Sequence, residues 1–340
     1  MIAREGAGLS TMRKHLLVFV ILVILCGCGK PTDNQPVRTI RLAHSSQADC
    51  SSELHMAAWL FQKWIEDHSD RLRVKIYASN TLGQEREIYE GMQLQSGVAC
   101  AVSGTAILNN FVPRMGVLDL PFLWRDYEHV HRVLDGPVGR VLEEELDKAG
   151  FKVLAWMDSW GYRNLVTART PVATPGDLQG LKIRTIPTPL YIATLNAMGC
   201  NATPMPFGEV YSSMQTGVLD GFEHSAAMIR ANRFYEVGDH LVLTRHLFGP
   251  LAFVYAKYLW DRLPPEEQAQ IQEAATMARD IERALAPVRE KEALAFLEEK
   301  GMTIHSIDRE VFVKAATRLQ NDWAARNGAT DLLRMIRETR

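Results

Sequence analysis

The sequence predicts an α/β protein of two domains, and three observations carry that reading. Between Gly180 and Ile229 short apolar runs, LKIR and VLDGF, alternate with longer segments whose apolar residues recur three and four apart, such as Leu190, Ala193, Leu195 and Met198. That pattern reads as strand and helix in turn, three times over. Pro187, Gly199, Pro204, Pro206 and Gly217 fall where those elements should break, an independent signal for the same boundaries. Roughly 310 residues follow Cys28, more than one ordinary domain uses.

Taken in order, the chain opens with Arg13, Lys14 and His15, then ten apolar residues from Leu16 to Leu25. Ten are too few to cross a bilayer, which needs about 20; a basic flank with a short apolar core is a secretory signal. Leu25-Cys26-Gly27-Cys28 looks like a lipoprotein processing site, so residues 1–28 are expected to be the signal, with Cys28 lipidated. Residues 29–38, GKPTDNQPVR, are polar and contain proline, as a tether should. The mature protein is expected in the periplasm, lipid-anchored to the membrane.

With 47% apolar and 23% charged residues and a formal charge of −2, the chain has no basic stripe to neutralise phosphates, which argues against nucleic acid as a partner. Cys50, Cys100 and Cys200 have no metal-ligand spacing, and their odd number implies no disulfide framework. One bridge stays open, with no pair favoured.

TIRLAH at 39–44 alternates as a strand, and Ser45–Ser52 is a polar loop. Met56, Trp59, Leu60 and Ile65 space a helix starting at Glu53, and LRVKIYA at 72–78 is the next strand, a βαβ opening. A helix spans Gln84–Gln95, and GVACAVS is a short run after it. FKVLAWM at 151–157 is a strand that leads through Asp158, Ser159 and Trp160 into Gly161, Tyr162 and Arg163. Strands are expected at 240–249 and 251–257, then a helical pattern from Pro265 to Glu299 with Pro287 inside it, where proline removes a backbone bond and kinks the helix. A short strand at 301–307 and one closing helix from Asp308 to Arg337 complete the chain.

Ligands of open α/β sheets sit beyond the carboxyl ends of strands. Arg184 closes the LKIR strand, and its planar fork suits a carboxylate. Glu223 and His224 follow the VLDGF strand, and Ser45–Ser52 follows the first strand. Constellations for catalysis are poor. Ser103-Gly104-Thr105 lacks a nucleophile elbow, and His129 and His131, two apart, fall on different helix faces, wrong for a shared metal. Glu209, Asp220 and Glu223 are more readily caps or ligand contacts than a hydrolase pair.

The runs DLQGLKIR (177–184), MPFGEVY (205–211) and DGFEH (220–224), with LGQEREIYEGMQ (82–93), NNFVPRMGVLDLPFLWRDYEH (109–129) and GYRNLVTAR (161–169), resemble the solute-binding proteins of tripartite ATP-independent periplasmic (TRAP) transporters. The resemblance implies a two-domain periplasmic binding protein fold with a ligand cleft between the domains and a long kinked helix crossing both. Residues 39–160 with 250–287 would form one domain, and 161–249 with 288–340 the other. It further implies that Arg163 faces the cleft and that Ser45 contributes a contact; Phe207 is expected to cover the ligand's apolar face, or else to be a core residue under the helix it starts, and Trp160 is expected among the ligand contacts. Cys100 stands where the family usually has an acid, which reads as a change in local packing. The implied function is capture of a small organic acid and its delivery to ion-gradient-driven TRAP membrane subunits, with no cofactor, no metal and no catalysis. His224 replaces the asparagine of the family's D-G-x-E-N; with Glu223 it suits a ligand bearing several hydroxyls, favouring a uronate or aldonate over a C4-dicarboxylate. A C4-dicarboxylate ligand, or a ligand sensor, is the alternative.

Overall fold

The computed structural model describes residues 37–158 and 161–340, the side chains of Lys314 and Ala315 apart. The signal segment, Cys28, most of the tether and Trp160 lie outside the described residues. In chain order the strands are β1 (Arg38–Ala43), β2 (Leu72–Tyr77), β3 (Cys100–Gly104), β4 (Phe151–Met157), β5 (Tyr162–Thr167), β6 (Lys182–Thr185), β7 (Asn201–Pro204), β8 (Gly221–His224), β9 (His240–Phe248), β10 (Leu251–Ala256) and β11 (Thr303–His305). The helices are α1 (Glu53–His68), α2 (Glu85–Gln93), α3 (Thr105–Leu108), α4 (Tyr127–Leu134), α5 (Pro137–Lys148), α6 (Pro189–Ala197), α7 (Val210–Gln215), α8 (Ala226–Ala231), α9 (Lys257–Trp260), α10 (Pro265–Glu299), α11 (Glu310–Arg326) and α12 (Thr330–Glu338).

Two sheets build two lobes. The first has the order β2-β1-β3-β10-β4, the second β11-β9-β5-β8-β6-β7. The expected βαβ opening is present, with β1 parallel to both β2 and β3. The chain passes to the second sheet between Met157 and Tyr162, and returns between Phe248 and Leu251 to lay β10 antiparallel between β3 and β4. Proline at 250 suits this transfer, because it cannot continue a ladder.

Helix α10 spans both lobes. Ile271, Ala274 and Ala278 join the first lobe's core, and Ala293 and Leu297 the second's. It runs on as one helix through Pro287, which faces solvent.

Three expectations need revision. The closing helix is two, because Asn327 and Gly328 break it, with Gly328 in the left-handed region at φ +62°, a conformation glycine adopts freely. These helices do not remain with the second lobe: Phe312 packs there, but Trp323, Leu332 and Ile336 enter the first lobe's core. The strand read as VLDGF begins only at Gly221, since Val218 is exposed and the Asp220 carboxylate accepts from the Lys182 amide. A Cβ at 221 would lie 2.3 Å from the Val166 carbonyl oxygen, so the two strands approach closely only with glycine there. Cys50, Cys100 and Cys200 are free thiols, and Cys100 is fully buried in β3.

Candidate ligand site between the lobes

Glu223 and His224 therefore lie within a strand, and successive strand residues point to opposite faces. Leu165 pairs with Glu223 across β5 and β8, so Arg163, two residues from Leu165, is a same-face diagonal neighbour of Glu223. Both side chains are fully buried. Arg163 Nε donates to Glu223 Oε2, Nη2 donates to Oε1 at 2.9 Å, and Thr185 Oγ1 donates to Oε1 at 3.2 Å. His246 Nε2 lies 3.8 Å from Oε2, and burial, with Arg163 nearby, holds that imidazole down at about 3, hence neutral. The Glu223 carboxylate is thus engaged by Arg163 and Thr185, on the opposite face of the strand from His224.

His224 is also buried. Its Nδ1 accepts from the Ser225 amide at 2.9 Å, which places the proton of the neutral ring on Nε2, a donor. Burial, then Arg163 and Arg184, push its pKa well below the ordinary value. The ring stands 5.4 Å from that of Phe207, centroid to centroid.

Arg184 differs from Arg163 in its partners. It is 2% exposed, and Nε and Nη2 both donate to the Met205 carbonyl oxygen, at 2.9 and 2.6 Å. Among the described residues no carboxylate forms an ion pair with it, and its Nη1 makes no hydrogen bond. Burial lowers its pKa to about 10, opposed by Glu223 and Glu85 and reinforced by Arg163; it stays cationic at neutral pH. Its guanidinium centre lies 5.9 Å from the Phe207 ring centroid. Phe207 begins a 3-10 turn ahead of α7 and is partly buried.

The first lobe supplies Glu85, which the sequence reading did not single out. It opens α2, whose N-terminus is fixed by a reciprocal capping box between Gln84 and Glu87. Ser45 Oγ donates to Glu85 Oε1 at 3.1 Å, and Ser103 Oγ donates to the same oxygen. Among the described residues Glu85 Oε2 makes no hydrogen bond. Burial raises the pKa of this carboxyl, opposed by the two serines and by the fields of Arg184 and Arg163. Two serines, one just past β1 and one in β3, thus hold one acid within the field of two arginines of the other lobe.

A cleft of about 430 Å³ is lined by Ser45 and Asn80 from the first lobe and by Phe207, Tyr211, Asn232 and Phe234 from the second; Glu85 adjoins it through Ser45, and Arg184 and His224 through the Phe207 ring. Ser46 Oγ donates to Asn232 Oδ1 at 3.3 Å across it. The cleft itself offers amide side chains and an aromatic face, and next to it stand the Arg184 guanidinium and the Glu85 carboxylate. That set suits a small acid carrying hydroxyls. Among the described residues no group of three or more His, Cys, Asp or Glu could hold a metal ion, and no helix is long and apolar enough to cross a membrane.

The model of bacterial extracellular solute-binding protein family 7 matches residues 44–327. The 2,3-diketo-L-gulonate-binding periplasmic protein of Escherichia coli K12 is 33% identical over 312 residues, covering 90% of this chain and 94% of that protein. A TRAP periplasmic solute-binding protein from Citrobacter koseri, solved with D-glucuronate bound, superposes with a TM-score of 0.82 at 30% identity, over 89% of this chain and all of that one. Another, from Sulfurospirillum deleyianum with succinate bound, gives 0.84 at 25% identity, over 90% of this chain and all of that one.

Proposed function

This chain belongs to family 7 of the bacterial extracellular solute-binding proteins, and on that premise we propose that it captures a hydroxylated monocarboxylate of the uronate or aldonate class and hands it to TRAP-type membrane subunits. The observation that carries this is Arg184, a buried cation with no carboxylate partner among the described residues. A buried charge is costly until paired, and a ligand carboxylate on its Nη1 and Nη2 edge supplies the pair. Glu85 Oε2 takes a ligand hydroxyl, His224 Nε2 donates to another oxygen, and Phe207 covers the apolar face, with Ser45 at the wall. Arg163, held by Glu223, adds a fixed positive field behind the ligand carboxylate.

The relative with succinate bound makes a C4-dicarboxylate the second reading. Glu85 weighs against it, because a second ligand carboxylate would meet an acid held by Ser45 and Ser103 instead of a cation. Closure around the ligand needs no energy source beyond tighter binding to the closed form.

The basic flank, the ten apolar residues and Leu25-Cys26-Gly27-Cys28 support lipidation of Cys28 and a membrane-tethered carrier. Intact-mass measurement of the mature protein and of Cys28→Ser checks this: a diacyl adduct on the first alone is the expected outcome. Delivery is tested in vesicles bearing the TRAP subunits, where uptake of D-glucuronate should depend on added protein. Equal uptake without it would make the protein a sensor.

A further inference from the structure

Glu53 is the first residue of α1 and is 1% exposed, yet it belongs to neither the guanidinium pair nor the cleft. It lies in the seam between lobes. A cavity of about 110 Å³ is walled by Glu53 and Ser51 of the first lobe, by Ala227 and Arg230 of α8, and by Arg289 and Glu292 of α10. A smaller cavity joins Glu53 to Tyr127, Tyr162, Ser225 and Glu290. Glu53 Oε2 is buried without a hydrogen-bond partner.

The charged groups facing it are engaged elsewhere. Arg289 Nη1 donates to the Cys50 carbonyl oxygen at 2.8 Å, and the Arg230 guanidinium lies 4.6 Å from the Phe296 ring centroid. Glu290 accepts from Tyr127 and from Arg245, and Glu292 adds a second acid. An ionised Glu53 here would be a buried anion with a free oxygen lone pair and acids close by, the costly case. Because the cavity walls come from both lobes, separating the lobes admits water to the carboxyl and removes that cost.

We propose that Glu53 is a proton-binding switch at the lobe seam: closure draws one proton from solvent onto its carboxyl, and opening returns it. Burial raises the group from an ordinary 4.5 to about 7 in this structure, with its own backbone amide, Arg289 and Arg230 opposing. The closed form therefore holds a proton that the open form releases between those values. Ligand affinity falls as pH rises through that window and levels off above it. This holds whichever acid is bound.

Calorimetry with D-glucuronate at pH 6, in two buffers of unlike ionisation heat, reads the proton directly. Wild type should take up a sizeable fraction of one proton per ligand and bind several-fold more weakly at pH 7.5 than at pH 5.5; Glu53→Gln should lose most of that uptake and slope. Thermal unfolding supplies a readout that needs no ligand: the melting temperature of Glu53→Gln minus that of wild type should grow from pH 5 to pH 8. Glu53→Met, of similar length and without a titrating group, replaces the glutamine variant if that does not fold. Equal proton uptake in wild type and variant, or a melting-temperature difference that is flat with pH, overturns the switch.

Discussion

Arg163 and Glu223 are diagonal neighbours on one face of β5 and β8, and both are fully buried with the guanidinium fork on the carboxylate. Breaking such a pair from one side leaves a buried charge and costs about 3–5 kcal/mol, whereas replacing both partners by apolar residues of similar size is often close to neutral. Glu223→Ala should therefore unfold at much lower denaturant concentration than wild type, and Arg163→Met with Glu223→Leu should recover most of the loss. If the double variant is as unstable as the single one, the pair is not what holds these strands.

Arg184 should behave differently. Arg184→Lys keeps the charge but loses the fork, and a charge-assisted bond is worth about 1.5–3 kcal/mol, so affinity for the cognate acid should fall roughly tenfold to a hundredfold. Stability should change less, since Arg184 has no carboxylate partner among the described residues. Calorimetry and denaturant melts on the same preparation separate the two effects. Unchanged affinity would remove Arg184 from the carboxylate site.

Asp119 accepts from Tyr191 Oη at 3.2 Å, joining the first lobe to α6 of the second. Burial raises its carboxyl from 3.8 to about 7, with Tyr191 and Arg163 opposing. The folded protein thus keeps a proton that the unfolded chain gives up between these values. Its stabilising contribution is complete below about 3.8, declines as pH rises to about 7 and is flat above. Asp119→Asn should flatten that part of the profile, so its melting temperature should gain on wild type between pH 5 and pH 7. A constant difference across that range would mean the carboxyl titrates normally.

Glu85 is expected to sort ligands by charge. Glu85→Gln keeps the shape and a hydrogen-bonding end but removes the negative charge, so it should weaken binding of a sugar acid and strengthen that of succinate. A melting-temperature shift series with both acids on both proteins measures this. The same ligand preference in wild type and variant would assign selectivity elsewhere.

Local rules made much of the fold legible. Alternation and Pro/Gly breaks located the strands and helices from β6 to α8, and the apolar spacing with proline located α10. The split between α11 and α12 was hidden because the apolar pattern continues across Asn327 and Gly328, and only the left-handed glycine ends the first helix. At the site, Arg184 was readable from its place at the end of β6. Glu85 was not, because an acid opening a helix is commonplace, and its significance comes from Ser45 and Ser103, which are 40 and 18 residues away in sequence and meet it only through the parallel order of β1 and β3. The opposite facing of Glu223 and His224 was hidden for a related reason: β8 begins three residues later than the VLDGF run suggests, so both lie within the strand.

The central claim is that Arg184 and Glu85, from opposite lobes, select an acid with one carboxylate and several hydroxyls. Calorimetric titration of the wild-type protein with D-glucuronate and with succinate under one set of conditions tests it most directly. Selective binding of the sugar acid, by tenfold or more over succinate, is the predicted result; succinate bound as tightly as D-glucuronate, or more tightly, would contradict it.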